Sequence, residues 1–132
     1  MRKNTKIYIA GHRGMVGSAI WRLLEKRGYD NLIGRSSKEL DLKNQNKVQD
    51  FFKTQNPEVV IDAAAKVGGI LANNEYPYQF LMENMQIQNN LIDASLQQGV
   101  EKFIFLGSSC IYPKFAKQPL KEEYLLTDSL EP

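Results

Sequence analysis

The chain has one cysteine, one histidine and one tryptophan in 132 residues. Cys110 alone cannot form an internal disulfide, and a single His with a single Cys supplies no ligand set at metal-binding spacing. No metal site is therefore expected, and a reduced, cytoplasmic setting is. Charge of one sign is also scarce: 17 Lys plus Arg against 15 Asp plus Glu leave a formal charge of +2. That is too small to imply a nucleic-acid or membrane-surface field, and no basic run is interleaved with aromatics. Apolar stretches fall far short of the ~20 residues of a membrane span, and the basic start Met1-Arg2-Lys3 precedes no signal-peptide core. Internal repeats and low-complexity tracts are missing as well. With 42% hydrophobic residues, the composition describes one folded domain, because a chain of ~150 residues buries roughly 70% of its unfolded surface.

Short β-rich runs alternate with helix-length amphipathic segments, which is the pattern of βαβαβ. Lys6 to Ala10 (KIYIA) reads as a strand that stops at Gly11. From Met15 to Arg27, Val16, Ala19, Ile20, Leu23 and Leu24 recur at helical spacing before Gly28. Residues 31–34 (NLIG) form a short second strand. Val48, Phe51 and Phe52 mark the buried face of a second helix ending before Pro57, and Val59 to Ile61 a buried third strand. The longest helix runs from Pro77 to Gln98, with proline where a missing N–H costs little and Gly99 just past the end. Its apolar stripe is Phe80, Ile87, Leu91 and Ala94, and Asn84 falls on that stripe, so a polar amide is expected on a buried face. Lys102 to Leu106 (KFIFL) is a fourth strand. Beyond Pro113 periodicity fades, and Pro119 and Pro132 bracket a charged stretch read mostly as loop.

Helices between successive strands require parallel strands joined by right-handed crossovers. The expected fold is α/β, a Rossmann-like doubly wound parallel sheet of order 3-2-1-4, truncated before later strands. Residues 1–112 make its Rossmann core and 113–132 a loop segment. Ligands of such sheets bind outside the carboxyl ends of the strands where strand order reverses, which the expected order puts between Gly11 and Gly107.

The loop Gly11-His12-Arg13-Gly14-Met15-Val16-Gly17 joins the first strand to the first helix. Its glycines permit a tight turn, close approach to a pyrophosphate and close helix packing, while the helix N-terminus favours the anion. At the end of the second strand, where an acidic residue would read free ribose hydroxyls, stands Gly34-Arg35-Ser36-Ser37. Arg35 presents a planar fork, the serines donate hydrogen bonds and Arg13 approaches from the loop, so this set points to NADP(H). Asp41 and Leu42 border the adenine. His12 has a structural or phosphate-neighbouring place rather than a catalytic one.

Four segments resemble the extended short-chain dehydrogenase/reductase family, and within it the GDP-L-fucose synthase branch. They are GHRGMVGSAI (11–20), AAAKVGGI (63–70), ENMQIQNNLIDAS (83–95) and LGSSCIYPK (106–114). The resemblance covers the whole chain, with GSSCIYP and AAKVGGI specific to the branch. It implies an enzyme that epimerises C3 and C5 of GDP-4-keto-6-deoxy-mannose and reduces C4 with NADPH, one ketone serving all three steps. By position Ser108 matches the serine that holds the C4 carbonyl and Cys110 the cysteine that works as acid or base. Without the family, Cys110 reads as a small buried hydrophobe. Ala63, Ala64 and Ala65 match small residues along the cofactor, as do Leu106, Gly107, Ser108 and Ser109 at the fourth strand. Asn84 matches an asparagine of the family's long helix, with a hydrogen-bonded core amide as the other reading.

One family feature is missing. No tyrosine is followed four residues later by lysine; those positions hold His12, Ile33, Phe80, Met82, Ala116 and Asp128. The Tyr-x-x-x-Lys pair, the acid/base histidine and the nucleotide-sugar domain are expected downstream of Pro132, so the chain alone is expected to be inactive as a reductase. The family's homodimer is a further expectation. The alternatives are a non-catalytic NADP(H)-binding module and another nucleotide-sugar epimerase or dehydratase.

Overall fold

A computed structural model describes residues 1–130. It contains β1 (Ile7–Ala10), α1 (Met15–Lys26), β2 (Leu32–Ile33), α2 (Gln45–Gln55), β3 (Val59–Asp62), α3 (Ile70–Glu75), α4 (Pro77–Gln97) and β4 (Lys102–Phe105). Every strand pair is parallel. Ile7 to Ala10 are almost completely buried, as a strand covered on both faces must be.

Alternation along the strands divides the core in two. Ile7, Ile9, Val59 and Ile61 face Ile20, Trp21 and Leu24 of α1. Tyr8, Ala10 and Val60 face the opposite way, onto Val48 and Phe52 of α2 and Leu91 and Ala94 of α4. On that second side the Tyr8 ring meets Phe51 at a tilt, with centroids 4.7 Å apart, and Phe52 edge-on at 5.8 Å, geometries worth about 0.5–1.5 kcal/mol per pair beyond area burial.

The doubly wound parallel sheet is the one the periodicity predicts, but its order is β2-β1-β3-β4, not 3-2-1-4. After β2 the chain reverses direction across the sheet and passes over β1. A right-handed crossover that reverses must use the other face, which is why α1 stands alone on one side and α2 packs with α4 on the other. The reversal therefore falls between β1 and β3. It brings Gly11 beside Ala63, rather than beside Gly107.

Helix boundaries follow local chemistry. Gly28 and Gly99 both adopt positive φ just past α1 and α4, and Pro77 opens α4. Asn44 caps α2 by accepting from the Lys47 N–H. Three short elements were not predicted: α3, and 3-10 turns at Ser109–Ile111 and Glu122–Tyr124. The segment from Pro113 is otherwise irregular, closed by a bond from the Lys114 N–H to the Ser129 carbonyl. Pro132 lies outside the described residues.

Candidate dinucleotide site

A cavity of about 580 Å³ opens at the carboxyl ends of β1 and β3. Gly11, Gly14, Met15 and Val16 form one wall, Arg35, Ser37, Leu40, Asp41, Leu42 and Lys43 a second, and Ala63 to Val67 with Glu83 and Ile87 a third. Eleven of the residues read from sequence as cofactor-binding are thus brought together: Gly11, Gly14, Met15, Val16, Arg35, Ser37, Asp41, Leu42, Ala63, Ala64 and Ala65.

The glycine loop is shaped by its neighbours. Gly11 has φ +73°, and a Cβ there would stand 2.5 Å from the Ala63 carbonyl oxygen. A side chain on Gly17 would strike the Gly11 carbonyl, so α1 can approach the loop this closely only with glycine. The helix starts at Met15 with no side-chain cap and no acidic residue in its first turn. Its first N–H groups, which have no partner within a helix, are open to an anion.

Three positions near the start of α4 hold the 63–69 loop. The Asn84 Oδ1 accepts from the Lys66 N–H at 2.7 Å, and its Nδ2 donates to the Lys66 carbonyl at 3.0 Å. Both ends of the amide are therefore spent on one backbone residue, and Asn84 shapes the cavity wall from behind. Glu83 pairs with Lys66 at 2.5 Å and with Lys43 at 3.2 Å. The Lys66 hydrogen bond, followed by the Lys43 one, holds the Glu83 carboxyl below its usual range. The Phe80 ring lies against Gly68, where a Cβ would come within 2.7 Å of the ring.

Other expected residues stand outside the cavity lining. The Ser36 N–H and hydroxyl both donate to Glu39, at 2.7 and 2.6 Å. These bonds lower the Glu39 pKa, with smaller contributions from Arg13 and Arg35. Arg35, which does line the cavity, lies over the Phe51 ring at 5.6 Å and donates to the Gly34 carbonyl. His12 packs on Trp21 with ring centroids 5.5 Å apart. Leu106, Gly107, Ser108, Ser109 and Cys110 follow β4, all exposed. Ser108 Oγ accepts from the Cys110 N–H at 3.2 Å, and the Cys110 thiol is free and exposed, not a buried hydrophobe.

Sequence reasoning missed Lys43 and Glu83 as parts of this wall. It also missed Asp62, the last residue of β3, which is 3% exposed. Its Oδ1 accepts from the Ala64 N–H at 3.0 Å while Oδ2 is buried without a partner. Burial raises its pKa.

A four-stranded parallel sheet carrying a glycine-rich turn at its reversal point defines a Rossmann-type dinucleotide-binding protein. The sequence profile of the NAD dependent epimerase/dehydratase family matches residues 7–132, and the chain belongs to that family. It is 57% identical over 130 residues to GDP-L-fucose synthase 1 of Arabidopsis thaliana, covering 98% of this chain and 40% of the relative. Against GDP-L-fucose synthase of Escherichia coli K12 the identity is 55% over 127 residues, covering 96% and 40%. A solved structure of MlghC, a GDP-mannoheptose C4 reductase from Campylobacter jejuni with NADP bound, superposes with TM-score 0.93 at 47% identity, over 99% of this chain and 41% of that one. The chain spans about 40% of the length of these relatives.

Proposed function

We propose that this chain is the NADP(H)-binding part of an epimerase/reductase that converts GDP-4-keto-6-deoxy-mannose to GDP-L-fucose. The observation that carries the cofactor reading is the cavity itself. It unites the glycine loop, the small Ala63-Ala64-Ala65 wall and the Arg35 and Ser37 end of β2, with no carboxylate at position 34 to repel a 2′-phosphate. Arg13, Arg35 and Ser37 would hold that phosphate, the first turn of α1 the pyrophosphate, and Asp41 and Leu42 the adenine, while Ser36 is engaged by Glu39. NADPH supplies the hydride when bound. The residues of the chain bind and orient it and shape the floor on which it lies.

Support for the sugar comes from the relatives named GDP-L-fucose synthase. A second reading, reduction of a GDP-heptose at C4, is favoured by the reductase of known structure at 47% identity. In either case a ketone next to a carbon acid is the reacting group. Ser108 would hold its oxygen, and Cys110 would exchange protons at the neighbouring carbons, a role that needs a thiol tuned by its neighbours. The exposed stripe Tyr78, Leu81, Met85, Ile92 and Leu96 along α4 supports a homodimer. The free thiol supports a cytoplasmic setting. Among the described residues no helix is long and apolar enough to cross a membrane.

Calorimetric titration of the purified chain with both cofactors tests the reading. NADPH is expected to bind at least about tenfold tighter than NADH, a difference of roughly 1.4 kcal/mol. Tighter binding of NADH would refute the assignment.

A further inference from the structure

Gly34 follows β2 directly, at the position where dinucleotide-binding folds carry the acidic residue that reads the ribose hydroxyls, about 20 residues beyond the glycine loop. Its backbone does not call for glycine: φ is not positive there, in contrast to Gly11, Gly28 and Gly99. Space does. A Cβ at Gly34 would stand 2.6 Å from both Cδ2 and Nδ1 of His12 and nearer still to Cγ. These are the root and flank of a rigid ring, so the obstacle is not the far end of a flexible chain. On its other side the ring meets Trp21, with centroids 5.5 Å apart.

We propose that His12 determines cofactor specificity by volume. Its ring, wedged between Trp21 and the Gly34 backbone, occupies the space that any side chain at position 34 needs. The carboxylate that would favour NADH is thereby excluded, and the recognition of a 2′-phosphate is left to Arg13 and Arg35. His12 is a positioning residue in this scheme and touches the phosphate site through its neighbours. Two observations agree with a steric role. Burial, with Arg13 beside it, lowers the His12 pKa, which keeps the ring uncharged at neutral pH. Its Nδ1 is buried with no hydrogen-bond partner, so the ring is held by packing rather than by a polar contact.

The inference rests on the NADP(H) reading, and a four-variant titration separates the two. NADPH and NADH are titrated into the parent chain, Gly34→Asp, His12→Ala and the double variant His12→Ala/Gly34→Asp, with Tm measured for each. Gly34→Asp alone is expected to lower Tm and to lose NADPH binding without gaining NADH. Removing the ring in the double variant is expected to restore Tm and to turn the preference towards NADH by about tenfold or more. His12→Ala alone should retain a preference for NADPH. A Gly34→Asp chain that keeps the parent Tm and gains NADH affinity with His12 in place would overturn the inference, as would a double variant that keeps the parent's NADPH preference. A parent chain that binds neither cofactor would instead overturn the dinucleotide reading itself.

Discussion

Replacing Asn84 by aspartate changes one group and nothing in shape. The oxygen that accepts from the Lys66 N–H at 2.7 Å is retained, while the nitrogen that donates to the Lys66 carbonyl at 3.0 Å becomes a second oxygen. One bond worth about 0.5–1.5 kcal/mol net is lost. Two oxygens then face each other, with the Glu83 carboxylate next along the helix. Both bonds are only partly buried, so water recovers some of the loss, and about 1–2 kcal/mol is expected at neutral pH. For a chain of this size that corresponds to a fall in Tm of roughly 3–8 °C. Protonation restores a donor, so the deficit relative to the parent should shrink as pH falls towards about 4, where a carboxyl of ordinary pKa titrates. Asn84→Ala loses both bonds and should show no such recovery. Thermal unfolding of the three chains at several pH values, with NADPH titration at neutral pH, is the assay. An Asn84→Asp chain with the parent's Tm and cofactor affinity at neutral pH would refute the view that this amide fixes the Lys66 loop.

Two further outcomes concern titratable groups. The folded chain holds the proton of Asp62 more tightly than the unfolded chain does, because burial raises its pKa from 3.8. Stability is therefore lost as pH rises from about 4 through the raised value. Asp62→Asn should remove that loss, gaining about 1–3 kcal/mol at neutral pH and little at pH ~4 in urea unfolding; equal stability at neutral pH would count against an orphaned carboxylate. His12 has the opposite linkage: its folded pKa is lowered from 6.5, so the unfolded chain binds more protons below that value and stability falls on acidification through the window beneath it. His12→Gln should flatten this part of the curve, and an unchanged slope would show that the ring is not the titrating group.

Much of the fold was legible because it is local. IYIA and VVI are unbroken apolar runs that only a doubly covered strand needs, and α1 and α4 announce themselves by spacing, proline and glycine. Strand order was not legible, since whether the chain reverses after β2 depends on packing between α2 and α4, far apart in sequence. At the site, glycines and alanines signalled themselves by their rarity as a pattern, whereas Lys43 and Glu83 resemble any exposed charges. The stripe argument did place Asn84 inward. It could not say that the partner would be the Lys66 backbone, 18 residues away. A signal for Glu83 existed in hindsight: it lies three residues after Phe80 and next to Asn84, on the turn of α4 that meets the loop.

That turn explains why the longest helix also bounds the cavity. Once the reversal lies between β1 and β3, the crossover from β3 to β4 must run on the α2 face, and it has to begin at the carboxyl end of β3. The first turns of α4 are thus delivered to the rim of the cofactor cavity by topology alone. Positions three and four apart share a helix face, so Phe80, Glu83 and Asn84 all address the same loop. Each secures a different feature of it: the ring abuts Gly68, the carboxylate holds the Lys66 side chain, and the amide holds the Lys66 backbone. Because the Glu83 pairs are more than a quarter exposed, solvent screens them and they contribute little. The geometry of the wall must then depend on the amide and the ring, which is why a change at Asn84 should disturb the cofactor while loss of either lysine pair should not.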